Sequence, residues 1–260
     1  MKAKILVLFI SLTYGCTFLT SAQTVKSLPF KAGSAKVNIS PEQDPLPGGY
    51  ESIHDSLYAR ALVIDNGSAS AALVSIDNGF LSEAIWKNIT EGIKEKAGIP
   101  VENVFLCPSH THSAPMLMMP PSTSNPDTPG DPLIARYVSQ IEAAITDAVL
   151  KAKSNLRPAR IGYGTGTSHF NVNRDVIDPE TRLWTQGPNY DGVSDHNVYV
   201  VKVEAVSGEL IGVFVNFAMH ANWMFMSGVI SAGLPGGVSK YIEDYYKDFY
   251  DIDAVALWSM

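Results

Sequence analysis

Apolar and polar positions along this chain change period several times, and each change marks an element. Ala35 to Ile39 reads as a short strand. Leu57 to Asp65 and Ser70 to Asp77 are β-rich runs joined across Asp65-Asn66-Gly67, a hairpin signal. The second run is apolar almost without a break, the pattern of a strand covered on both faces. Ile85, Ile89 and Ile93 then share one helical stripe, capped by Ser82 and ending near Gly98. Asn103 to Cys107 returns to a strand that breaks at Pro108. A second helix has Asp131 as cap, Pro132 at its first position and Ile134, Val138, Ile141, Ile145 and Val149 along one face. Arg160 to Tyr163 reads as a strand, and His169 to His196 carries no usable period. Asn197 to Val206 and Leu210 to Phe217 make another hairpin through Ser207-Gly208. A turn at Gly233-Leu-Pro-Gly-Gly237 leads into a helix with Val238, Ile242, Tyr245 and Phe249 on one side. Asp253 to Met260 begins a buried strand, which a core does not usually leave uncovered, so the sequence is expected to continue beyond it. The fold class predicted is α/β: mixed sheets with hairpins, flanked by helices, forming an incomplete domain.

With 260 residues, 46% of them hydrophobic, the chain can bury a substantial core. Lys2 and Lys4, the apolar run Ile5 to Leu12 and the small residues Thr20-Ser21-Ala22 predict a signal peptide over residues 1–22, too short in its apolar part to span a bilayer. Residues 23–260 then form the exported part, periplasmic, extracellular or on the cell surface. Lipoprotein processing at Gly15-Cys16 is the alternative, which Thr13 and Tyr14 fit poorly. The formal charge of −7 becomes −9 once Lys2 and Lys4 are removed with the leader. That balance offers no electrostatic footprint for nucleic acid. One cysteine is left, Cys107, so no internal disulfide forms. It reads as a small buried hydrophobe, since nothing nearby lowers its pKa.

Three histidines follow apolar strands at the point where strand gives way to loop: His110, His112 and His220. Side chains two apart on extended backbone point the same way, so His110 and His112 can aim at one point. If the strands before them are sheet neighbours running in one direction, all three imidazoles meet at one edge and can grip a divalent metal. Asp77 also ends an apolar strand. It can support that site from behind, or cap the amides around Leu81. Arg174 by itself reads as a surface ion-pair partner of Asp175. His54, His169 and His196 read as solvent-facing.

In order along the chain stand Gly49-Tyr50, Tyr58-Ala-Arg-Ala-Leu-Val-Ile-Asp65, Val74-Ser-Ile-Asp77, Ser109-His-Thr-His-Ser-Ala-Pro115, Asn173-Arg174, Asn216-Phe-Ala-Met-His220 and Ile230-Ser-Ala-Gly-Leu-Pro-Gly236. This series resembles the neutral (non-lysosomal) ceramidases, in which zinc activates water to hydrolyse the amide of ceramide. The resemblance implies a Zn2+ cofactor with His110 and His220 as metal ligands, and His112 and Arg174 as catalytic groups that orient substrate or steady the oxyanion. It implies a lipid or other N-acyl substrate with peripheral membrane contact. It also places the family's remaining ligands, a glutamate and a tyrosine, past Met260, so the 260-residue piece is expected to be inactive alone. The chain departs from the family's pattern at Ala114-Pro115-Met116, at Ala221-Asn222-Trp223 and at Gly233, where an acidic residue is common. These departures leave a further reading, a surface or lipid-binding protein that keeps the scaffold without activity. The His-Xaa-His start by itself also allows a different metal-dependent amidohydrolase, whose regular β-α rhythm the hairpins before and after the pair do not follow. Met116, Leu117, Met118 and Met119 could line a lip for a lipid tail, or pack in the core.

Overall fold

The computed structural model of the chain describes residues 30–117 and 131–260. Residues 1–29, which include the expected signal peptide, and 118–130, which include Met118 and Met119, lie outside the described residues. The first half contains β1 (Lys31–Asn38), β2 (Ser52–Ile53), β3 (Tyr58–Asp65), β4 (Ser70–Ile76), α1 (Glu83–Ala97), β5 (Val104–Pro108) and α2 (Pro132–Ser154). The second contains β6 (Arg157–Thr167), β7 (Asn173–Ile177), β8 (Trp184–Asn189), β9 (Asn197–Ala205), β10 (Leu210–Phe217), β11 (Val229–Ile230), α3 (Gly233–Tyr250) and β12 (Val255–Ser259).

Eight strands form one sheet in the order β12-β10-β9-β6-β1-β3-β4-β5. β4 pairs parallel with β5, and β10 with β12; their other neighbours are antiparallel. The sheet is nearly divided in the middle, because β1 meets β6 only through Lys31↔Pro158 and Ala32↔Arg157. That narrow joint lets the two halves stack face to face. Ala32 and Leu62 of one half share an apolar layer with Val203, Ile211, Val255 and Leu257 of the other. Helices close the outer faces. Ile85, Ile89, Ile93, Ile141, Ile145 and Val149 cover Ala61, Val63, Val74 and Ile76, while Val238, Ile242 and Tyr246 cover Val213, Val215 and Trp258. The result is four layers, helix on sheet on sheet on helix. Strand alternation explains the division: Ala59, Ala61 and Val63 face the helices, and Arg60 and Leu62 face the other half.

The caps expected from the sequence are present. Ser82 Oγ accepts from Ile85 N, Gly98 ends α1 in the left-handed region (φ 66°), and Asp131 accepts from Leu133 N. Three expectations change. β6 runs far beyond Arg160–Tyr163, and it was hidden because Gly162, Gly164 and Gly166 and exposed side chains leave it no apolar period. The stretch from His169 to His196 holds the β7–β8 hairpin, whose Leu183 and Trp184 are exposed, so burial gave it no pattern either. α3 begins at Gly233 rather than after a turn, and Tyr245 and Phe249 point outward while Tyr246 packs inward. The inward face includes buried Glu243, a position that hydropathy assigns to solvent.

Glu243 is buried because Arg60 is. Arg60, 2% exposed, donates Nη1 to Asp77 Oδ2 (2.7 Å) and Nε to Glu243 Oε1 (2.9 Å). Lys36 pairs with the other oxygen of Glu243 at 2.6 Å. Burial works against the Arg60 charge, yet the facing Asp77 and Glu243 outweigh it and hold its pKa above the usual value. Burial pushes the Asp77 carboxyl upward, opposed by Arg60. Glu243 also meets β12, its Oε1 accepting from Ala256 N, and Ser75 Oγ of β4 donates to Trp258 O.

Cys107, expected to be a small buried hydrophobe, is only partly buried. That burial still pushes its thiol up to about 12, and its Sγ rests against the carbonyls of Val74 and Trp258.

Replacing Arg60 by alanine removes the only guanidinium facing Asp77, leaving it the Tyr58 amide, and leaves Glu243 only Lys36 and the Ala256 amide among the described residues; it is expected to cost about 3–5 kcal/mol. The urea midpoint of unfolding measures it; a shift within error of zero contradicts the account. Alkylation of Cys107 in the folded chain at pH 8, followed on its own peptide, is expected to run roughly a thousandfold slower than that of free cysteine. A rate near the free value would show the thiol to be accessible.

Candidate metal centre

The three histidines converge, by a route the sequence did not show. β5 and β10 are not neighbours but lie towards opposite edges of the sheet. Stacking of the two halves brings their C-terminal ends together. Nor is His110 extended: its φ is 64°, in the left-handed region, which turns the chain between the two histidines. The loop is pinned on both sides of that turn. His110 N donates to Asn78 O, Ser109 N to Ile76 O, and the buried Thr111 Oγ1 to Ser231 O. Ser231 N in turn donates to Ser113 O. Gly79 is required beside this loop, because a Cβ there would stand 2.7 Å from the Thr111 carbonyl oxygen.

His110 Nδ1 lies 2.9 Å from Gly79 O. A carbonyl can only accept, so Nδ1 carries the proton and Nε2 presents its lone pair. His112 Nε2 lies 3.2 Å from His110 Nε2, and His220 Nε2 lies 2.6 Å from His112 Nε2. One nitrogen from each ring falls within 4.8 Å of the other two. Ring nitrogens gathered this closely repel one another unless a proton or a cation lies among them. Burial first, then the neighbouring imidazoles, holds His112 below the usual imidazole range. His220 is held down by burial, His110 and Arg174, in that order. Imidazole nitrogens gathered at one point are the donor set that a divalent, borderline-soft cation takes, and the residues fit such an ion.

His112 stands between the other two rather than apart from them. Arg174, on exposed β7, is near enough for its charge to act on His220. Asp77 touches no histidine side chain and does not cap the amides near Leu81. Its Oδ2 accepts from Tyr58 N and Arg60, and its tie to His110 runs through the backbone of the next two residues. His54 and His169 are exposed as expected. His196 is half-buried and bonded to Asn171 Oδ1 at 2.8 Å, so it is not a free surface group.

The sequence reading missed the loop after His220. Phe225 presents its edge to His112 at 5.4 Å between ring centres, and the Trp223 carbonyl accepts from Ser113 Oγ. Trp223, Phe225 and Met226 are 67%, 57% and 86% exposed, an apolar rim beside the histidines. Its signal was a charge-free Trp-Met-Phe-Met run directly downstream of a candidate ligand. On the other side Met116 is exposed and Leu117 fully buried, so the lip expected from 116–119 is reduced, among the described residues, to Met116. Gly233 has φ 63° and lies beside Thr111 Oγ1, which makes an acidic residue there a strained choice in this chain.

Comparison with known proteins agrees with this architecture. A family model described as neutral/alkaline non-lysosomal ceramidase, N-terminal, matches residues 49–253. Neutral ceramidase B of Dictyostelium discoideum is 26% identical over 217 residues, 80% of this chain and 29% of that protein. Neutral ceramidase A of the same organism is 25% identical over 198 residues, 73% of this chain and 27% of its own length. The chain therefore spans less than a third of the curated relatives it matches. The crystal structure of neutral ceramidase from Pseudomonas aeruginosa superposes with a TM-score of 0.68 at 22% identity, over 89% of this chain and 38% of that one. By the match of the family model over most of its length, the chain belongs to the neutral/alkaline non-lysosomal ceramidase family, in its N-terminal domain.

Proposed function

We propose that this chain is the metal-binding part of an exported zinc-dependent amidase that cleaves ceramide or a related N-acyl lipid. The convergence of His110, His112 and His220 carries the reading, and the family supports the amide chemistry. His110 and His220 would hold the ion. When bound, zinc supplies the Lewis acidity that makes water nucleophilic at neutral pH and favours charge on the carbonyl oxygen. The chain's own part is to fix the donors. Gly79 O sets the tautomer of His110, and the pinned 109–113 loop keeps His112 against both partners. His112, between the ligands, orients the substrate amide. Arg174 adds positive charge on the side of His220, where an oxyanion would be steadied. Trp223, Phe225, Met226 and Met116 give an apolar surround fitting an acyl tail and brief contact with a lipid surface. Among the described residues no helix is long and apolar enough to cross a membrane.

The closeness of His112 Nε2 to both neighbours favours one other role, that of third ligand. The two roles separate by stoichiometry. In the full-length protein, His110→Ala and His220→Ala are expected to lose bound zinc and at least a hundredfold in turnover of an N-acyl lipid. His112→Ala is expected to keep zinc while losing turnover; elemental analysis showing zinc lost there makes it a ligand. Turnover that survives in His110→Ala removes the hydrolase reading and leaves a binding protein on the same scaffold. The 260-residue chain alone is expected to be inactive and to hold zinc weakly, and nanomolar binding would overturn that.

Gly79→Ala should push the Thr111 peptide away and weaken zinc binding about 10–100-fold, the range seen when support around a ligand is lost. Chelator competition measures this, and wild-type affinity in that variant would show the loop to be tolerant.

A further inference from the structure

His220 sits three residues past the end of β10, on an exposed stretch, and its side chain is bonded to His112 alone among the described residues. Something must fix the backbone that carries it. That backbone is held at Ala218, whose carbonyl accepts from Asn171 Nδ2 at 2.8 Å. Asn171 is 8% exposed, and every strong group of its amide is engaged. The second Nδ2 hydrogen goes to Asp195 O at 2.5 Å, and Oδ1 accepts a hydrogen bond from His196 Nδ1 at 2.8 Å. His196 is in turn covered by the ring of His169, 4.5 Å away. One short side chain thus joins the β6–β7 connection, the β8–β9 connection and the end of β10. Three residues downstream of Asn171, on β7, lies Arg174.

We infer that Asn171 is a positioning residue of this site: it sets the exit of β10, and with it His220, against the connection that delivers Arg174. The assignment rests on the hydrolase reading above. The amide is required for a chemical reason. Two carbonyl oxygens converge on its nitrogen, so the isosteric Asn171→Asp places acceptor against acceptor twice and removes both donors at unchanged volume. Asn171→Ala deletes all three bonds. His196→Ala removes only the group that orients the amide and leaves both donors in place.

The test uses full-length protein loaded with Co2+, whose visible absorption reports ligand geometry, together with chelator competition and steady-state hydrolysis of a fluorescent N-acyl lipid. Asn171→Asp and Asn171→Ala are expected to bind Co2+ about 10–100-fold more weakly with an altered band, and to lose at least tenfold in kcat with KM changed less than threefold. His196→Ala should show a smaller loss in the same direction, which keeps the test decisive should either Asn171 variant fail to fold. A role confined to folding would lower the melting temperature yet leave the cobalt spectrum, affinity and kcat of the folded protein unchanged. That outcome overturns the assignment, as do wild-type values in all three variants. If instead the wild type holds no Co2+, or His110→Ala turns over substrate normally, the hydrolase reading itself fails.

Discussion

A guanidinium sealed between two carboxylates is the constraint on which this architecture depends. Arg60 comes from β3 in one half of the sheet, Asp77 from the loop that leaves β4, and Glu243 from the helix covering the other half. None of the three could stay ionised alone at that depth, since removing a charge from water costs several kcal/mol. Together they satisfy one another and at the same time fix how far apart the two stacked halves sit. The carboxylate that pairs with Arg60 also lies one residue before Asn78, whose carbonyl holds His110. The metal centre is therefore built outward from a charged knot, while the apolar layer around Leu62, Ile211 and Leu257 supplies bulk stabilisation without direction.

Much of the fold was legible because burial writes a period into sequence. Both long helices, their caps, and the β3–β4 and β9–β10 hairpins were readable from Ile, Val and Leu at regular intervals. What escaped was structure with little burial to record. β6 alternates glycine with exposed residues, and the β7–β8 hairpin shows Trp184 to solvent. In α3 the rule inverted: a glutamate faces inward on account of Arg60, so the apolar stripe was traced through Tyr245 and Phe249 instead of Tyr246.

The site was legible by residue and not by geometry. His110, His112 and His220 were marked by their place after apolar strands, and they do meet. The expected reason, parallel neighbouring strands and an extended His-Xaa-His, is not the one the structure uses. The meeting depends on a sheet that doubles over at β1 and β6 and on a left-handed residue in the loop. Neither can be deduced from local pattern, because both follow from contacts distant in sequence. Asn171 and the Trp223–Met226 rim were passed over for a related reason: an isolated asparagine and an exposed aromatic have no periodic signature.

The outer margin of β12 has one more consequence. Exposed strand edges invite pairing with other chains, and proteins guard them with charge or cover. Here the amide of Ala256 is already committed to Glu243, and the carbonyl of Trp258 to Ser75. An intruding strand would have to take a carboxylate away from Arg60 before forming its first ladder bond. The ion knot inside the molecule thereby takes up, among the described residues, the Ala256 amide that β12 turns away from β10.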